Sequence, residues 1–190
     1  MAEALAVQAS PNKKLKFTPT SIDRALLIQS QPLADERGYF ARVWCQQEFA
    51  ELGLNTDLVQ CNLSHNHQRG TLRGMHYQRA PFEEAKVVRC TQGSIYDVII
   101  DLRSDSPSFM HWQAFELSAD NQQMLYIPEG CAHGFQTLTD SAQIFYQMSQ
   151  PYHPEYASGV RWNDPAWDIE WPLPVSRISH QDQTHPDFNS

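Results

Sequence analysis

The densest run of residues able to do chemistry is Ser64-His65-Asn66-His67-Gln68-Arg69-Gly70-Thr71-Leu72-Arg73-Gly74-Met75-His76-Tyr77-Gln78. An imidazole has an ordinary pKa of about 6.5, so at neutral pH it is mostly uncharged and can accept a proton, while guanidinium groups bind anions in bidentate fashion. On a regular strand Arg73 and His76 would point to opposite faces, because side chains alternate with a period of two. Gly74 between them permits a bulge that turns both toward one cavity. Taken alone, a histidine in such a run is more often a hydrogen-bonded structural residue than a base.

A second run, Tyr126-Ile127-Pro128-Glu129-Gly130-Cys131-Ala132-His133-Gly134-Phe135, reads as a strand end, a turn and a new strand. Its P-x-G-x-x-H spacing is similar to the second half of the cupin signature, found in antiparallel barrels whose histidines often hold a metal. A metal cupin also offers a His-x-His with a nearby glutamate. Here only His65-Asn66-His67 has that spacing, and Glu83 and Glu84 fall in a loop-like stretch, so no catalytic metal is expected.

The elements that must position these residues read as β. From about Leu26 onward, short β-rich segments are separated by Gly, Pro, Asn and Asp, the pattern of an antiparallel sandwich or barrel. The clearest strands are Ala85–Thr91, Ser94–Asp101, Trp112–Leu117, Gln123–Ile127 and Gln143–Ser149, with Gln92-Gly93 as a hairpin turn between the first two. Ser94–Asp101 alternates poorly and is expected to be buried on both faces. A short peripheral helix is predicted over Gln46–Leu52, with Gly53 as its left-handed cap. The tail from Trp162 is too rich in proline for a regular element and too aromatic to lie free in solvent. It is expected to pack back over the barrel and bring polar residues toward a site.

A chain of 190 residues suits one domain with one substantial core, expected over residues 20–190 after a flexible arm at 1–19. Its hydrophobic fraction of 41% is too high for a disordered chain, and no apolar run approaches the roughly 20 residues of a membrane span. A net charge of −8 repels nucleic acid over most of the surface, so an anionic ligand needs local basic residues. Arg73, Arg79, Lys86 and Arg89 lie within seventeen positions around His76, and Arg37 sits in another turn-like segment. Cys45, Cys61, Cys90 and Cys131 show no paired spacing and are expected to be reduced thiols. The start, Met1 to Pro11, has no long apolar stretch after a basic one, so a cytoplasmic protein without a secretory signal is expected.

Taken together, Gly70–Gln78, Ala85–Cys90, Ile127–Phe135 and Trp162-Asn163-Asp164-Pro165 resemble the dTDP-4-dehydrorhamnose 3,5-epimerases in order and spacing, over a stretch from about Leu27 to Asp182. The resemblance implies an all-β fold, a cupin-type jelly-roll barrel, as a homodimer acting on a nucleotide-linked 4-keto-6-deoxy sugar with no metal and no dissociable cofactor. It places the base at His76 and the acid at Tyr146. Asp182 is the partner of the histidine, and Lys86 lies near the sugar oxygens. Arg37 and Arg73 fall on the diphosphate arginines, Gln60 and Asn62 on residues around the nucleotide, and His133 on a substrate-contacting histidine. Departures from the pattern fall at Ala41-Arg42, Leu63, Gln147 and Gln181, and bear on which nucleotide, sugar or carbon is used rather than on the reaction.

These residue types suit proton transfer beside a ketone. A histidine takes the proton, and a carboxylate on its other nitrogen fixes the tautomer and favours the imidazolium that forms. A lysine 4 Å from the enolate oxygen supplies about 4 kcal/mol at an effective dielectric near 20, roughly a thousandfold in rate. A tyrosine across the ring returns the proton to the opposite face. Two other readings compete: a metal-dependent cupin such as a dioxygenase or isomerase, and a sugar-binding cupin without chemistry. The joint presence of His76, Lys86 and Tyr146 speaks against the second.

Overall fold

The structure, a computed structural model, describes residues 14–188. In chain order the first elements are β1 (Leu15–Pro19), β2 (Leu26–Ser30), β3 (Leu33–Asp35), β4 (Gly38–Phe40), α1 (Gln46–Ala50), β5 (Gln60–Asn66) and β6 (Leu72–Gln78). They are followed by β7 (Lys86–Gln92), β8 (Ser94–Asp101), β9 (Trp112–Ser118), β10 (Gln123–Ile127), β11 (Cys131–Thr137), β12 (Ala142–Met148), β13 (Ala157–Gly159) and α2 (His180–Thr184).

Two antiparallel sheets face each other in a jelly-roll barrel, one ordered β1-β2-β10-β7-β12-β5 and the other β13-β6-β11-β8-β9. The core between them takes alternate residues from both: Val88, Leu125, Ile127 and Ile144 from the first, Ile95, Ile99, Leu117 and Phe135 from the second. Each sheet also has a covered outer face. On the first, Phe49 of α1 packs with Phe17, Ile28, Val87, Met124 and Tyr126. On the second, Met75, Val98, Ile100 and Ala132 lie under Val160, Trp167, Ile169, Trp171 and Phe188 of the tail. Two-sided burial is why β8 reads as an almost unbroken apolar run. The tail is held by polar ties as well: Trp112 Nε1 donates to the Trp167 carbonyl at 2.9 Å and Trp171 Nε1 to that of Trp162 at 2.9 Å.

Three expectations change. Leu15–Pro19, expected in the flexible arm, forms β1, because Leu15 and Phe17 have an apolar cluster to enter and the Leu15 N–H donates to Glu48 at 3.1 Å. Residues 1–13 lie outside the described residues. Gln92-Gly93 is a turn, with Gly93 at φ 72°, yet it closes no hairpin, since β7 and β8 belong to different sheets. Val88 and Cys90 meet Ile95 and Ile99 face to face across the core, which side-by-side pairing would forbid. In the tail, Ser179 caps one helical turn by accepting a hydrogen bond from the Asp182 N–H at 3.0 Å, so α2 exists where an irregular chain was expected.

Candidate active site

The inward-facing polar residues of both sheets meet at one end of the barrel. From β7 and β12, positions in register with the apolar core residues Val88 and Ile144 carry Lys86 and Tyr146 instead, with Met148 beside them; β5 adds Asn62 and Ser64. The facing sheet contributes Arg73 and His76 of β6 and His133 of β11. These line two adjoining cavities of about 470 and 270 Å³, which share Asn62, His76, Lys86 and Met148.

The expected bulge brings Arg73 and His76 together. His133 pairs with His76 and Phe135 with Arg73, and the register shifts between them. Gly74 sits at φ 110° with its Cα side pressed against β11: a Cβ there would lie 2.7 Å from Gly134 Cα and 2.7 Å from the His133 carbonyl oxygen. Only glycine accepts both the dihedral and the approach.

His76 Nε2 lies 2.7 Å from Asp182 Oδ1, and the second oxygen, Oδ2, accepts from the Gly74 N–H at 3.2 Å. Burial opposes the charge on Asp182, but the hydrogen bond and charge of His76, with the Gly74 N–H and the Ser179 hydroxyl, outweigh it and hold the carboxyl below its ordinary 3.8. An ionised carboxylate only accepts, so Nε2 carries the proton and Nδ1 is left as the basic nitrogen. The His76 side chain is 47% exposed, Asp182 only 6%.

Lys86 spans the two sheets. Its Nζ pairs with Glu84 Oε1 at 2.8 Å and donates to the His76 carbonyl at 3.4 Å. Both side chains are buried, and Glu84 Oε2 has no hydrogen-bond partner. His133 Nε2 lies 2.8 Å from the buried Asp97 Oδ1. Tyr146 stands on the sheet opposite His76, its ring 6.1 Å from that of His133. Burial first, then the negative charge of Asp97, push its hydroxyl far above the ordinary tyrosine value, so it stays a proton donor throughout the neutral range. Arg73 Nε donates to Asn66 Oδ1 at 2.6 Å, which pins the guanidinium at the cavity edge.

All four residues expected to be catalytic therefore converge, with Asn62, Arg73 and His133 around them and Gln60 lining the larger cavity. Arg37 does not join them. It pairs with Asp35 in the β3–β4 hairpin, with its side chain 84% exposed. Arg79 and Arg89 of the basic cluster also stay outside both cavities, as do His65 and His67 on the outer strand β5 and its end. Sequence reasoning missed Asp97, weighed Glu84 only as a metal partner, and gave Ser64 no role of its own. Asp97 had a signal, since a carboxylate inside the apolar run of β8 must find a partner; Glu84 and Ser64 had none.

A histidine–carboxylate pair on one wall, a partly buried tyrosine on the other and a lysine between them bring a base and proton donors to the mouth of one jelly-roll barrel. The sequence profile of the dTDP-4-dehydrorhamnose 3,5-epimerases matches residues 19–190. An enzyme of that name from Methanothermobacter thermautotrophicus is 42% identical over 160 residues, 84% of this chain and 85% of its own length. The Bacillus anthracis enzyme, solved with TDP and PPi bound, superposes with a TM-score of 0.88 at 37% identity, over 92% of this chain and 99% of that one. The Legionella pneumophila enzyme, in complex with dTDP-4-keto-L-rhamnose, gives 0.83 at 36% identity, covering 88% and 89%. This chain belongs to the dTDP-4-dehydrorhamnose 3,5-epimerase family.

Proposed function

We propose that this protein epimerises a dTDP-linked 4-keto-6-deoxy sugar, with dTDP-4-dehydro-6-deoxy-D-glucose as substrate, at carbons flanking the ketone. The observation that carries this reading is the placement of His76–Asp182 and Tyr146 on opposite sheets of one barrel mouth, with Lys86 between them. His76 Nδ1 takes the proton beside the ketone. Asp182 holds the imidazolium, and Lys86 balances the charge developing on the enolate oxygen. Tyr146 then donates from the far face, inverting the centre. The sequence is neutral in oxidation state, and these side chains supply every proton, so no cofactor is called for. Gln60 and Asn62 face the nucleotide, Arg73 the diphosphate and His133 the sugar. The TDP bound in one related solved structure and the dTDP-4-keto-L-rhamnose bound in another support this reading.

We further propose a cytoplasmic homodimer. The β3–β4 hairpin exposes Leu33 at 57%, Tyr39 at 61% and Phe40 at 74%, and strand β5 at the sheet edge exposes Leu63 at 59%. Such apolar surface and an open edge call for a partner. Packing of the hairpin against a second copy would carry Arg37 to that copy's diphosphate. The four free cysteines suit a reducing compartment. The decisive assay is incubation with dTDP-4-dehydro-6-deoxyglucose in deuterated water, counting by NMR which of C3 and C5 acquire deuterium and invert. No exchange at either carbon with native protein, or full exchange in His76→Asn, would refute the proposal.

A further inference from the structure

His185 follows α2 and plays no part in the proton transfers described above. Its Nε2 is buried, has no hydrogen-bond partner, and lies 4.0 Å from Asp182 Oδ1, the oxygen already bonded to His76 Nε2. Among the described residues, His76, Asp182 and His185 are the one group of three ligand-type side chains whose donor atoms all lie within 4.8 Å of one another. The ring of His185 fits there because Gly159 has no side chain: a Cβ at that position would overlap its Nε2 and Cε1. A buried imidazole nitrogen without a partner is unusual enough to need an explanation.

We propose that these three residues form an inhibitory site for a borderline divalent cation, Zn²⁺ above all. Two imidazoles and a carboxylate are the donor set that suits zinc, cobalt or nickel and does not suit magnesium or calcium. In a tetrahedral site with bonds of about 2.0–2.1 Å the donors stand roughly 3.3 Å apart. The widest pair here must close by at most about 1.5 Å to reach that spacing, a shift open to the half-exposed His76 and the single turn of α2. Water would complete the shell at the fourth position.

Inhibition follows from the tautomer. A cation on His76 Nε2 takes the place of the proton there, and the ring stays neutral by carrying its single proton on Nδ1 instead, the transfer passing through solvent. Nδ1 is the nitrogen that must be bare to take the substrate's proton, so the metallated ring cannot act as base. The inhibitory consequence rests on the assignment of His76 as base; the binding site itself does not.

The test uses tag-free protein freed of metal with a chelator, titrated with Co²⁺ and read by visible ligand-field absorption, with Zn²⁺ competition and epimerisation assayed in parallel. One ion per chain is expected, with loss of activity tracking occupancy. In His185→Gln, metal-free activity should be unchanged, while Co²⁺ binding and Zn²⁺ inhibition weaken by at least about tenfold. Equal affinity in native and variant protein, or no Co²⁺ binding at all, overturns the site. If the variant misfolds, imidazole NMR of native protein decides: Zn²⁺ must perturb the His76 and His185 rings, and perturbation of His133 alone refutes the proposal. Binding that depends on His185 yet leaves epimerisation untouched keeps the site and overturns His76 as base.

Discussion

Replacing Asp182 with asparagine tests the dyad while preserving its shape. The imidazolium exists only once the substrate proton has arrived, so the attraction of Asp182 for it stabilises the transition state and not bound substrate. Two unit charges 2.7 Å apart attract by about 6 kcal/mol at an effective dielectric of ~20 and by about 1.5 kcal/mol at ~80. Asp182 is 6% exposed and His76 47%, which places the pair between those limits, at about 3 kcal/mol for a dielectric near 40. That corresponds to a rate loss of about a hundredfold. An amide N–H facing Nε2 would also impose the wrong tautomer, a fault that costs up to about 10⁴ in serine-protease triads. Asp182→Asn is therefore expected to lower kcat by roughly 10² to 10⁴ with KM little changed, measured by NMR on the dTDP-sugar. A folded variant with kcat within about threefold of native would show that the carboxylate does not assist the base.

Four further outcomes are expected. Tyr146→Phe should still exchange deuterium at the carbon beside the ketone, through return from His76, while inverted product falls by roughly 10²–10⁴; inversion at the native rate would assign the donor elsewhere. Gly74→Ala should lose at least about 2 kcal/mol of stability in denaturant unfolding, because φ 110° and the 2.7 Å approach to β11 both exclude a side chain. For Asp101, burial is outweighed by Arg103, Ser106 and Ser108, which lower its carboxyl from 3.8 to about 2. Its contribution, about 2 kcal/mol, is thus present above pH 3.8 and lost as pH falls toward 2, and Asp101→Asn should flatten that part of an acid unfolding curve. If the protein is the proposed dimer, Phe40→Asp should convert it to monomer in sedimentation velocity and weaken dTDP binding together with it; a dimer that survives would remove the hairpin from the interface.

Much of the site was legible in the chain itself. Lys86, His133 and Tyr146 each sit at a strand position in phase with apolar residues, so a period of two already turned them inward with Val88, Phe135 and Ile144. Gly74 announced the bulge that breaks that phase between Arg73 and His76. The apolar character of Ser94–Asp101 and the aromatic tail likewise announced each other, since a strand covered on both faces needs a second covering layer. What no local pattern could supply was the choice of partners across long stretches of chain. Gln92-Gly93 has turn chemistry in either topology, and only the placing of Val88 and Ile99 on two sheets around one core decides that it crosses between them. Asp182 meets His76 across 106 positions because Trp167, Trp171 and Phe188 find the outer face of the second sheet and deliver α2 to its edge. Arg37 shows the same limit from the other side. Its segment marks it for an anion, yet among the described residues its side chain pairs with Asp35, and only the proposed second copy would carry it to a diphosphate.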